Sequence, residues 1–218
     1  MDAAPPYITV FRPEHHGVRR LEMQWAWSDT VSSWSWDVPP GSPVEVEVYS
    51  DADEVELLLD GAPIGRAAAG PEHRFRAHFD VRYYPGTLTA VAYDGDVERS
   101  RTSLTTANGV GLVAEADRRI LRADHSDLAF ITIELRDADG NLANAVDRVV
   151  SVEITGPGVL QALGSARPAT EERFDSPHHT TFDGRALAIV RPTAAGVITV
   201  GVNSDGLPPV TLELEARE

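Results

Sequence analysis

The sequence predicts an all-β protein made of two tandem β-sandwiches. Short apolar runs with strict period-two alternation recur from one end to the other, turn-forming residues punctuate them, and no stretch shows helical periodicity. At 218 residues the chain has room for two cores, each built on roughly 100 residues.

The clearest elements lie between residues 43 and 66. Val44, Val46 and Val48 alternate with Glu45 and Glu47, the pattern of a half-buried strand. Ser50 to Asp53 break the run with turn-favouring side chains, and Val55, Leu57 and Leu59 restart it. Asp60-Gly61 then stands between two apolar runs, where both residues tolerate the positive φ of a tight hairpin turn, and Ile64-Gly65 starts the return.

Upstream, residues 1–20 are punctuated by Pro5, Pro6 and Pro13 and read as a linker holding one short strand at Ile8–Phe11. Leu21 to Trp27 reads as the next strand. Downstream, Phe75, Ala77 and Phe79 are expected to point inward, and Tyr84-Pro85-Gly86 to turn. Thr87–Tyr93 and Glu98–Thr105 close the first domain, residues 21–106. Ala107-Asn108-Gly109 reads as the link to a second domain, 107–218. There the runs 111–117, 129–136, 149–155, 159–164, 185–191, 196–203 and 210–216 have the spacing of an Ig-like sandwich. The chain is therefore expected to be two tandem Ig-like β-sandwich domains. Residues 165–184 form a long polar excursion with no evident element, and loops of that length are usually functional or mobile.

Composition narrows the functional classes. Net charge is −15, and all 19 basic residues are arginines. So acidic a surface disfavours nucleic acid and anionic membranes as partners. The absence of cysteine excludes disulfides, thiolate nucleophiles and Cys-based zinc sites. No apolar run reaches the roughly 20 residues that span a bilayer, and the first residues lack the features of a signal peptide. Compartment stays open.

Several motifs in order resemble a known family. The lead-in "WAWSDTVSSWSW", the run "VEVYSDADEVELLLDGAPIG" and "YYPGTLTAVAYDGD", then "DLAFITIELRDADGNLA" and "FDGRALAIVRPT", resemble the C-terminal β-domains of glycoside hydrolase family 2 enzymes. These are a DUF4982-like domain and an Ig-like domain that follow a β-galactosidase-like catalytic barrel. The resemblance implies an accessory tail whose partner is the barrel of the parent chain. One departure is the loop 164–179, which reads Gly-Ser-Ala-Arg-Pro where the family has an Asn-Gly-Asp-Pro-like pattern.

Four tryptophans are the candidate binding residues. Trp25 and Trp27, and Trp34 and Trp36, have i, i+2 spacing, which on a strand places both indoles on one face. Such a surface serves sugar stacking or docking on another domain, while core filling is the alternative. The resemblance favours an interface with the barrel. Glycosidic cleavage needs a carboxylate pair, yet the sequence has neither the Asn-Glu pair that the family places in its barrel nor the strand–helix alternation of a barrel. Glu45, Glu47, Glu54 and Glu56 read as solvated outward residues, so this piece alone is expected not to be an enzyme. His15-His16 and His178-His179 read as polar loop residues, because neighbours on a strand point apart. Asp137 to Asn141 reads as a hairpin turn in place of a calcium loop, which would need further ligands and a terminal glutamate. Neither a metal nor a cofactor is expected. The leading expectation is a buttress for the barrel that lends an aromatic to its substrate pocket. A carbohydrate-binding module and an adhesin-like tandem are the alternatives.

Overall fold

The computed structural model describes residues 4–18 and 28–218. The chain divides into two units, Met1–Thr106 and Ala107–Glu218, and each has its own apolar core.

The first unit contains β1 (Tyr7–Phe11), β2 (Thr30–Val31), β3 (Pro43–Tyr49), β4 (Glu54–Leu59), β5 (Ala62–Ala68), β6 (Arg76–Arg82), β7 (Thr87–Asp94) and β8 (Val97–Thr105). They form two antiparallel sheets, ordered β2-β1-β3-β6 and β5-β4-β7-β8. Alternation sets which side chains meet: Val44, Val46 and Val48 of β3 join Ile8 and Val10 of β1, Val55 and Leu57 of β4, and Leu88 and Ala90 of β7 in one buried cluster. Asp60 and Gly61 take φ of 48° and 80° and close the β4–β5 hairpin as expected. The Asp60 carboxylate also accepts the Thr87 amide at 2.8 Å. Gly86 must lack a side chain, because a Cβ there would run into that carboxylate.

Two sequence expectations change here. Tyr7–Phe11 is an inner strand between β2 and β3 with Ile8 and Val10 fully buried, so it belongs to the sandwich itself. Phe75 is half exposed, not inward. The 3₁₀ turn Pro71–His73 ends in left-handed Arg74 and Phe75 (φ 56° and 61°), and the inward alternation starts only at Ala77 and Phe79. The strand expected at Leu21–Trp27 lies outside the described residues.

The second unit contains β9 (Gly111–Ala116), β10 (Ile120–Arg122), β11 (Ala129–Arg136), β12 (Val149–Thr155), β13 (Gly158–Gly164), β14 (His178–Thr180), β15 (Arg185–Pro192), β16 (Gly196–Ser204) and β17 (Val210–Arg217). A five-stranded sheet runs β10-β17-β16-β12-β14, and a four-stranded sheet runs β13-β15-β11-β9. All pairings are antiparallel except β10 with β17. The core is made of Ile131, Ile133 and Leu135 with Val150, Val152, Ile198, Val200 and Val202. Burying each of these side chains stabilises the fold by roughly 1.5–3 kcal/mol relative to exposure. β10 and β14 carry no sequence signal, since three residues are too few to show a period.

Separate cores imply separate folding. Expressed alone, residues 1–106 and 107–218 are each expected to give β-type circular dichroism and a cooperative melt. A random-coil spectrum from either fragment would refute this.

Candidate functional site

Trp34 and Trp36 lie in the irregular segment between β2 and β3, so the strand geometry that would align their indoles on one outer face does not apply. Both are in the first core, at 0% and 8% exposure. The Trp34 ring meets Tyr83 edge-on with centroids 5.1 Å apart. Its indole N–H donates to the Tyr84 carbonyl at 2.9 Å, and its own carbonyl accepts the Thr106 hydroxyl at 2.7 Å. One side chain and one peptide thus tie the β6–β7 connection to the end of β8. Of the readings weighed for Trp34 and Trp36, their burial fits core filling. Trp25 and Trp27 lie outside the described residues.

The carboxylates expected on solvated faces divide into two groups. Glu54 pairs with Arg66 at 2.7 Å, and Glu56 accepts the Tyr93 hydroxyl at 3.3 Å. Glu47 differs, being only 4% exposed while accepting Tyr49 Oη at 2.9 Å and Arg76 at 3.0 Å. Burial of that charge is tolerable because both oxygens are hydrogen-bonded. These carboxylates are engaged in holding their own sheet faces together.

The Asp137 turn behaves as a staple. Its carboxylate accepts the amides of Asn108, Asp139 and Asn141 and the Asn141 side-chain N–H, all at 2.8–3.0 Å. The Asn141 side chain first, then the Asn108 amide, stabilise the charged form and hold the Asp137 pKa at about 2. With N–H donors on both oxygens, the group locks a hairpin turn and connects it to residue 108.

The polar excursion 165–184 is pinned at several points and includes β14. Arg167 pairs with Asp147 at 2.8 Å, and Asp147 also accepts the Thr181 hydroxyl and the Gly184 amide, each at 3.2 Å. Burial disfavours the charge on Glu172, but the Thr180 hydroxyl and amide, both at 2.8 Å, outweigh it and lower its pKa. The paired histidines point apart, as expected of a strand, but His179 is no loop residue. It is fully buried, stacked on Phe174 with centroids 5.6 Å apart, and bonded through Nδ1 to the Thr180 carbonyl at 2.9 Å. His15 Nδ1 lies 2.6 Å from Asp29, whose other oxygen accepts Arg12.

Two groupings had no signal in the sequence, because cross-strand register creates them. On β3 and β6, Glu45 stands opposite Asp80, with His78 two residues away on the same face, and their ligand atoms lie within 4.8 Å of one another. On the outer face of β11 and β15, Phe130 pairs with Ile189 while Leu187 stands opposite Thr132. Phe130 is 38% and Leu187 40% exposed.

Fold and surface together define a tandem β-sandwich module. Residues 41–99 match the domain of unknown function DUF4982, and residues 112–213 match glycoside hydrolase family 2 C-terminal domain 5. Over these two stretches the chain is thus similar to the C-terminal part of glycoside hydrolase family 2 enzymes. It is 29% identical over 188 residues to the β-galactosidase BoGH2A of Bacteroides ovatus, covering 85% of this chain but 22% of that protein. The crystal structure of a glycosyl hydrolase family 2 member from Bacteroides cellulosilyticus superposes with a TM-score of 0.88 at 28% identity, over 100% of this chain and 29% of that one. A β-glycosidase from Bacteroides vulgatus shares the fold, with a TM-score of 0.75 at 19% identity over 85% of this chain and 24% of that one. The chain therefore spans under a third of each of these relatives. Among the described residues, no helix is long and apolar enough to cross a membrane.

Two outcomes follow from the geometry. Trp34→Ala removes a fully buried indole and is expected to destabilise the first unit by about 3–5 kcal/mol, read from its chemical denaturation midpoint. Asp137 has a folded pKa below its ordinary 3.8, so its stabilisation is complete above about pH 4 and fades as pH falls toward about 2. The melting-temperature gap between the native chain and Asp137→Ala is therefore expected to narrow from pH 5 to pH 2.

Proposed function

We propose that the chain is an accessory region that buttresses the catalytic domain of a β-galactosidase-like glycoside hydrolase and contributes no catalytic carboxylate. The outer face of β11 and β15 carries this reading. An antiparallel sheet with one solvated face ordinarily alternates apolar-in and polar-out, yet Phe130, Leu187 and Ile189 place apolar groups on the outside. Exposed apolar patches mark surfaces that meet a partner. The relatives supply a candidate for that partner, since more than two thirds of their length lies beyond the part this chain matches. With Trp34 and Trp36 buried, this sheet is the better candidate for the docking role. Burial also withdraws Trp34 and Trp36 from a sugar-binding platform.

The test uses the parent enzyme and the isolated chain side by side. Leu187→Asp is expected to change the stability of the isolated chain by no more than about 0.5 kcal/mol, while lowering the temperature at which the parent loses β-galactosidase activity. The isolated chain is expected to release no nitrophenol from nitrophenyl β-galactoside. Turnover that disappears on mutating a carboxylate of this chain, or a parent indifferent to Leu187→Asp, would overturn the reading.

A further inference from the structure

We propose that Asn108-Gly109, at the start of the second unit, is a self-modification site: the Asn108 side chain cyclises onto the Gly109 nitrogen, releases ammonia and reopens as aspartate or isoaspartate. Such a step makes three demands. A peptide nitrogen is a weak nucleophile, because resonance draws its lone pair into the carbonyl. It must therefore give up its proton, which requires an N–H open to water and not held in a hydrogen bond. It must then approach the side-chain carbonyl carbon, which a side chain on the following residue would obstruct. The asparagine amide, finally, must be free to turn.

Residues 108 and 109 meet all three demands. Both are exposed, and neither lies in a strand. Among the described residues, no hydrogen bond engages the Gly109 N–H or the Asn108 side-chain amide. Gly109 turns at φ 103°, and a Cβ built on it would meet nothing within 4 Å. The chain's three other asparagines do not meet them. Asn141 gives both its main-chain and its side-chain N–H to Asp137, and Leu142 after it is buried. Asn144 is itself buried. Asn203 and the following Ser204 lie in β16, in register with β12.

The Gly109 nitrogen bonds to Asn108 Cγ, its proton passes to solvent, and the side-chain nitrogen takes up a proton and leaves as ammonia. Water then opens the resulting five-membered imide. Breaking the new bond at Cγ gives aspartate. Breaking the original peptide bond gives isoaspartate, in which the main chain runs through Cγ. The sum is one water consumed and one ammonia released, with no oxidant or reductant. The neighbour that feels the change is Asp137, whose carboxylate accepts the Asn108 main-chain amide at 2.9 Å. After the Asn141 side chain, that amide is the donor that most favours the Asp137 charge. Either product places a second carboxylate on the residue that donates, and a like charge close by disfavours the ionised form.

The experiment follows the full chain by peptide mass mapping during incubation at pH 8.5 and 37 °C. Residue 108 is expected to gain one mass unit at least ten times faster than Asn141, Asn144 or Asn203, with ammonia released in step. Isomerisation at the Asp-Gly pairs leaves mass unchanged and does not interfere. Asn108→Gln should abolish the gain. Denaturant separates structure from sequence: unfolding should speed conversion at Asn141 and Asn203 at least tenfold and at Asn108 less than threefold. Asn108→Asp carries the added charge without the rearrangement. It should melt below the native chain at pH 7, and the gap should close as pH falls below about 4, where an ordinary aspartate takes its proton. In an Asp137→Ala background the same substitution should leave the melting temperature unchanged. Conversion at residue 108 no faster than at Asn203, or a tenfold rise there on unfolding, would overturn the site. A melting gap that persists below pH 3, or without Asp137, would overturn the coupling.

Discussion

Each unit depends on the alternation of side chains between two facing antiparallel sheets. In the first, Val44, Val46 and Val48 occupy the inner positions of β3, so a register slip of one residue would carry all three to the outside and bring Glu45 and Glu47 in. In the second, Ile131, Ile133 and Leu135 on β11 impose the same condition on both neighbours, β9 and β15. The turns and buried aromatics adjust to registers set by these rows. Asp60-Gly61, for example, supplies the positive φ that reverses the chain without shifting Leu59 from its partner Ala62.

The same alternation explains how much could be read from the sequence. Strands of six or more residues with one buried face were legible, and so was the hairpin at Asp60-Gly61, because local chemistry specifies both. Phe75 was misread because its place depends on two consecutive left-handed residues after a 3₁₀ turn, which neither Arg74 nor Phe75 favours alone. The role of Trp34 was hidden for a different reason. Its indole partner is a carbonyl 50 residues away, and i, i+2 spacing aligns side chains only in a strand, which the segment between β2 and β3 is not. β14 and the buried His179 were hidden inside a polar stretch, where Glu172, Thr180 and Phe174 supply interactions that composition does not reveal. Cross-strand groupings such as Glu45 with Asp80 require a register, and only the folded sheets provide it.

The polar groups follow one logic in both units. The acidic chain does not leave its structural carboxylates as free surface charge. Glu47, Asp137 and Asp147 each receive several donors and fix a sheet face, a turn and a long loop respectively. Gly184 shows the same economy in the backbone: it turns at φ 66° where a Cβ would meet the Ala143 carbonyl at 2.8 Å, so the amide can reach Asp147. These fixed points hold the shape of each sandwich.

The five-stranded sheet of the second unit ends on β10 at one side and β14 at the other, each only three residues long. An edge strand exposes unpaired amides and carbonyls that can recruit a strand from another molecule. Three residues present too short a ladder for such recruitment, and β10 also runs parallel to its neighbour, breaking the antiparallel pattern. β10 covers β17 only at residues 215–217, and β14 covers β12 only at residues 149–151. Short edge strands blunt both ends of this sheet against pairing with another chain, which leaves its faces as the broader surface for contact.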